Sequence, residues 1–173
     1  MIKTYKQKFY HSCLVTSLLM AGNLGQKLEE KIFFDGEKRE YYYYLDSVLA
    51  SFAQNTDKSV QMLVDNEILT SILQKSLAKF EDRITIEQKP INARLVAEIV
   101  QNKPVVIHLD DNYLGDYSHA SHFVVVSSFE DGKFEIIDPV DGKVKYLSDA
   151  KLNGAFESLK NHIKMSPEII YIT

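Results

Sequence analysis

The sequence predicts an α+β domain in which N-terminal helices pack on a C-terminal antiparallel sheet. Three observations carry this. Apolar residues before Pro104 recur mainly at helical spacing, those after it fall in short β-branched runs, and glycine-containing turns separate the later runs. With 173 residues, 45% apolar and 25% charged, and only 7 Gly and 4 Pro, the chain reads as one ordered domain over residues 1–173.

Cys13 to Met20 gives a first helix ending at Gly22, and a second helical segment runs from about Asn23 to Phe33. A third spans Arg39 to Ala53, where Tyr41, Leu45, Val48 and Phe52 recur every three or four residues and make one apolar face. Glu67 to Phe80 forms a fourth. A fifth follows Asn92, a side chain suited to cap a helix start, with Leu95, Val96, Ile99 and Val100 on one face. Pro104 to Leu109 opens the strand region. His122 to Phe129, Phe134 to Ile137 and Lys143 to Leu147 then form an antiparallel meander around the turns Glu130–Lys133 and Pro139–Gly142. Asp149 to His162 reads as a helix despite Gly154, and Glu168 to Ile172 as a closing strand.

Composition excludes several function classes. Twenty basic against twenty-four acidic residues leave a net charge of −4, which offers no field for a nucleic-acid backbone. One cysteine forms no internal disulfide and no multi-cysteine zinc site. No apolar run reaches the ~18 residues of a membrane span. Lys3, Lys6 and Lys8 ahead of Cys13–Gly22 imitate a secretory leader, but Tyr5, Phe9, Tyr10 and His11 interrupt the basic part, and Thr16 and Ser17 the apolar part. The expectation is a soluble cytoplasmic protein. Neither a phosphate-cradling glycine loop nor a serine nucleophile elbow occurs.

Chemistry converges on four residues. Cys13 opens a helix, where unpaired N–H groups favour negative charge, although a lone cysteine on an apolar helix is commonly just a small buried side chain. Gln7 lies six residues upstream, within reach to pair its amide with the Cys13 N–H as an oxyanion hole. His122 starts an apolar strand and supplies an imidazole at a strand end, where sites open. The other histidines fit structural places: His11 in a loop, His108 in a core strand, His119 outside regular structure and His162 near a helix end. Asp138 supplies a carboxylate to orient the ring. A three-residue loop, Glu130–Gly132, sets Phe129 opposite Lys133 and Val124 opposite Asp138. His122, Val124, Val126, Phe134, Ile136 and Asp138 then share one face, directed at the helix carrying Cys13. A two-residue Asp131-Gly132 turn sends Asp138 to the other face instead.

These residues carry a resemblance. Gln7-x5-Cys13, Cys13-x3-Ser17-Leu18-x-Met20, His122-Phe-Val-Val-Val and Ile137-Asp138-Pro139 with Gly142 resemble the bacteriocin-processing, double-glycine leader peptidases and their stand-alone relatives. The resemblance covers about residues 5–20 and 104–147. It implies a papain-like cysteine peptidase fold and a hydrolase cutting peptide or amide bonds through a thioester. By it, Gln7 is the oxyanion-hole residue, Cys13 the nucleophile, His122 the base and acid, and Asp138 the orienter, with no metal or organic cofactor and a peptide or protein substrate. Leu14 departs from the glycine common among relatives, which puts access to the cleft, and so activity, in question. The motifs come with no membrane or ATP-binding segment, so export-coupled leader cleavage is not carried over.

Three other readings compete. The same four residues serve an acyltransferase or deamidase. A non-catalytic peptide- or protein-binding module on this fold leaves Cys13 buried and unreactive. His108, Asp110, His119 and His122 have spacings that chelate a metal. Asp110, Asp111 and Asp116 read as a solvated loop or a flap over a cleft.

Overall fold

Helices and strands alternate more than the sequence reading allows. The computed structural model describes residues 2–37, 44–115 and 118–173. Among these, the helices are α1 (Cys13–Ala21), α2 (Glu29–Glu37), α3 (Tyr44–Asn55), α4 (Glu67–Ser76), α5 (Ala93–Val100) and α6 (Asp149–Ser158). The strands are β1 (Val60–Val64), β2 (Ile84–Gln88), β3 (Val105–Asp110), β4 (Ser121–Glu130), β5 (Lys133–Asp138), β6 (Lys143–Ser148) and β7 (Glu168–Ile172). They hydrogen-bond into one sheet in the order β2-β1-β7-β3-β4-β5-β6. All neighbours are antiparallel except β1 and β2, which run parallel on either side of α4.

The α+β class stands, with two strands in the half read as helical. Val60–Val64 is a short apolar run with four of five residues buried, which periodicity does not separate from a buried helical turn. Ile84–Gln88 did carry a strand signal, because buried Ile84 and Ile86 alternate with exposed Thr85 and Glu87. Asn92 caps α5 as its sequence implies, its Oδ1 accepting from the Leu95 N–H at 2.9 Å. The predicted start of the third helix, including Tyr41, lies outside the described residues. Within α3, Val48 and Phe52 are fully buried.

Both faces of the sheet are covered. On one, Leu14, Leu18 and Leu19 of α1 pack with side chains of α2, α3 and α4 against Val106, Phe123, Val125, Ile137 and Ile170. On the other, α5 and α6 cover Ile107, Val124, Val126, Phe134, Ile136 and Ile169. The face of Val124, Val126 and Ile136 is therefore not the one that meets α1, contrary to expectation. Strand alternation had given the correct grouping, but it does not say which helix covers which side.

The hairpin also departs from the expected loop. Asp131 and Gly132, at φ 51° and 73°, form a two-residue turn with Glu130 opposite Lys133. That turn alone puts Asp138 out of phase with His122. An extra residue in β4, Ser127, reverses the effect: Ser128 pairs with Glu135, while Val126 pairs with Ile136 and Val125 with Ile137. The bulge restores the expected register from Val126 onward. Its odd residue is held by the Ser127 hydroxyl, which lies 2.6 Å from Glu135 Oε1.

Candidate active site

α1 starts where β4 starts and β5 ends, so three chain segments distant in sequence meet at one end of the sheet. Ser12 stands at the N-cap of α1 yet makes no side-chain hydrogen bond to the helix. Its hydroxyl instead donates to Oε1 of fully buried Glu29 at 2.7 Å, and the same oxygen accepts the Lys8 N–H at 2.6 Å. Glu29 thus fastens the segment ahead of Cys13. The far end of that segment is fixed by the Gln7 N–H, which donates to Pro139 O at 2.7 Å.

Gly142 is glycine for its backbone conformation, and it lies in contact distance of the N-terminal segment. Its φ is 71°, and a Cβ there would stand 3.4 Å from the Lys6 nitrogen and the Tyr5 carbonyl carbon. The turn after Asp138 and the strand of chain carrying Gln7 are therefore in backbone contact.

His122 is 6% exposed and Asp138 fully buried; the ring Nε2 lies 2.9 Å from Asp138 Oδ1. That oxygen also accepts the Val140 N–H at 2.9 Å, and Oδ2 takes Lys145 Nζ at 2.5 Å. With Nε2 committed, Nδ1 is the ring nitrogen left for Cys13, which lines the same cleft and whose interaction with the imidazole favours the ring's charged form. Burial disfavours a charged ring, but the bond to Asp138 and the interaction with Cys13 outweigh it and hold His122 well above 6.5, at about 9. Burial likewise disfavours a charged Asp138, yet the bond to His122, its charge and the bond to Lys145 bring the carboxyl down to about 2. His122 and Asp138 are thus held as an ion pair near neutral pH.

Cys13, His122, Asp138 and Gln7 line one cleft of about 790 Å³, together with Tyr10, His11, Asp111 and Val140. Cys13 is half-buried. The four residues singled out in the sequence are thus together. Gln7 is less simply placed. Its Nε2 donates to Phe9 O at 3.0 Å and Tyr10 O at 2.9 Å, while Oε1 is buried without a hydrogen-bond partner among the described residues. Both amide hydrogens are engaged within its own loop.

No family model and no curated protein matches the sequence. Solved structures do. A double-glycine motif protease from an AMS/PCAT transporter, solved with the leader peptide, aligns with 99% of this chain and 91% of its own at a TM-score of 0.55 and 16% identity. The chain has the papain-like fold of that peptidase. A putative C39-like peptidase from Bacillus anthracis also matches, at 12% identity and a TM-score of 0.48 over 98% and 94% of the two chains.

On this papain-like fold the remaining sequence candidates fall into separate places. Leu14 is fully buried in the core with α1 and is absent from the cleft lining. The metal reading is corrected: its four residues are divided among three different partnerships. His108 Nδ1 bonds Ser166 O at 3.0 Å and the Glu168 carboxylate, His119 Nδ1 bonds Asp110 Oδ2 at 2.6 Å, and His122 bonds Asp138. Among the described residues no group of three metal-ligating side chains occurs. Asp110 is not solvated; it is fully buried and also accepts from the Ser158 hydroxyl at 2.5 Å. Asp111 lies on the cleft wall, and Asp116 lies outside the described residues. No described helix is long and apolar enough to cross a membrane.

Lys145 was missed, although a signal existed. With Asp138 opposite Lys143, strand alternation puts Lys145 on the same face as Asp138, diagonal to it, as His122 is from the other side.

Proposed function

We propose that the protein is a cysteine-dependent hydrolase that cuts peptide or amide bonds through a thioester, with Cys13, His122, Asp138 and Gln7 in the roles of nucleophile, acid and base, orienter and oxyanion donor. The observation that carries this reading is a buried imidazole bonded to a carboxylate at 2.9 Å and sharing one cleft with the only cysteine of the chain.

The steps follow from that arrangement. His122 takes up the thiol proton as sulfur attacks the scissile carbonyl. The tetrahedral oxyanion faces the first-turn N–H of α1 and the Gln7 amide, which gives up Phe9 O or Tyr10 O for it. His122 then protonates the departing amine, leaving an acyl thioester. Water, deprotonated by the same ring, attacks the thioester and releases acid and thiol. Asp138 keeps Nε2 occupied so that Nδ1 faces sulfur throughout.

A peptide suits the shape. The cleft adjoins a groove of about 640 Å³ through shared Tyr44, Ser121 and Phe123, with Leu45, Leu69 and Met165 giving it an apolar wall. Leu14, on the core side of α1, does not line the cleft. An unpaired cysteine at the centre suits a reducing compartment such as the cytoplasm.

The test is incubation with a mixed peptide pool and mass-spectrometric reading of the products. Cleavage by the native protein, abolished in Cys13→Ala, is the expected result; cleavage surviving in Cys13→Ala overturns it. A second reading, a non-catalytic peptide-binding module, draws support from the engaged Gln7 amide. It predicts binding without products from either protein.

A further inference from the structure

The carboxylate of Asp138 is shared. Oδ1 accepts from His122 and from the Val140 N–H, while Oδ2 faces Lys145 Nζ at 2.5 Å, with the Asp138 side chain 1% exposed and that of Lys145 18% exposed. A buried carboxylate is fixed in plane only when both oxygens are occupied, and an uncompensated charge in such a place acts strongly on its neighbours. β6 supplies the second partner, because the Ile136↔Lys145 pairing sets Lys145 one diagonal step from Asp138. Lys143, directly opposite Asp138, is exposed.

We propose that Lys145 is a positioning residue of the site: its ammonium fixes the Asp138 carboxylate with Oδ1 toward His122, and its charge offsets that of Asp138 so that the imidazolium can release its proton. With Lys145 present, the group of Cys13 thiolate, His122 imidazolium, Asp138 carboxylate and Lys145 ammonium is neutral. Without it, one net negative charge binds the His122 proton more tightly, which suits an ion pair but not an acid that must protonate a leaving group. The other titratable groups around the ring are Asp111, in the turn after β3, and Tyr10, His11 and Tyr44 on the cleft wall. None of them is a cation held against Asp138, so Lys145 is the group that answers its charge.

The role in proton release rests on the hydrolase reading, but the electrostatic claim does not need turnover. The test is an NMR titration of the His122 ring, its signal assigned by loss in His122→Gln, in the native protein and in Lys145→Met, Lys145→Arg and Lys143→Met. In Lys145→Met the midpoint moves up by roughly half a pH unit or more. Lys145→Arg restores the native value, and Lys143→Met leaves it in place. An unmoved midpoint in folded Lys145→Met, or an equal shift in Lys143→Met, overturns the proposal. Lys145→Gln replaces Lys145→Met if the latter unfolds, with the same two outcomes. If peptide is cut, the alkaline limb of kcat/KM moves up with the ring in Lys145→Met. A shifted ring in a protein that cuts nothing removes the hydrolase reading and leaves the assignment of Lys145 intact.

Discussion

At the scale of single residues, the ion pair of His122 and Asp138 makes stability depend on pH in a defined direction. His122 is raised, so its contribution is complete below about pH 6.5 and is lost as pH rises toward about 9. Asp138 is depressed, so its contribution is complete above pH 3.8 and is lost as pH falls toward about 2. Unfolding free energy should therefore be level between those windows and fall by about 3 kcal/mol on the alkaline side. Urea unfolding across this range checks it, and His122→Gln should lose the alkaline decline; the same decline in both proteins contradicts the pairing. Gln7 is the other informative residue. If it serves the oxyanion, Gln7→Ala lowers kcat about 100-fold with little change in KM, as steady-state kinetics on a cleaved peptide would read. The sequence pointed to the residue but not to its bonds with Phe9 O and Tyr10 O, because a side-chain amide chooses among nearby carbonyls only once the loop is folded.

Secondary-structure elements account for why the site assembles. The β4–β5 hairpin reached the expected phase by two differences that cancel: a turn one residue shorter than expected and a bulge at Ser127. Asp131-Gly132 signals the turn plainly, whereas a bulge has no comparable composition signal, so this part was not legible. The β5–β6 turn was legible through Gly142. Gly132 and Gly142 both have positive φ, but a Cβ at Gly132 meets nothing within 4 Å while one at Gly142 meets the Tyr5–Lys6 backbone. Gly132→Ala should cost about 1 kcal/mol from backbone strain alone. Gly142→Ala should cost a similar amount, because its Cβ would rest in ordinary van der Waals contact with that backbone. Thermal unfolding compares the two, and a much larger loss at Gly142 contradicts this reading. Gly154, tolerated as an oddity in the predicted last helix, has a tertiary reason: a Cβ there would stand 2.7 Å from Tyr113 Cε1. Helix propensity alone favours alanine at that position, so only the packing reveals the need.

Over the whole molecule, the sheet separates two cores and the site stands at its end, where α1, β4 and β5 meet. The meander of β4 to β6 and the presence of β3 and β7 were legible because turns and β-branched runs mark them, but β7 does not close the sheet: it lies inside it, between β1 and β3. β1 was not, since a short apolar run does not separate from a buried helical turn, whereas the alternation of β2 was a signal that the helical reading of the first half passed over. The side of the sheet occupied by α1 depends on packing between distant segments, which alternation does not encode. The fold brings Cys13 to His122 across more than a hundred residues of chain, and the functional reading depends on that meeting. Iodoacetamide labelling of the chain's single cysteine measures it most directly, with intact mass as the readout. The account predicts rapid, stoichiometric modification of Cys13 at about pH 6, falling to the rate of an ordinary thiol in folded His122→Ala. Equal labelling rates in the two proteins, or no labelling of the native one, would contradict it.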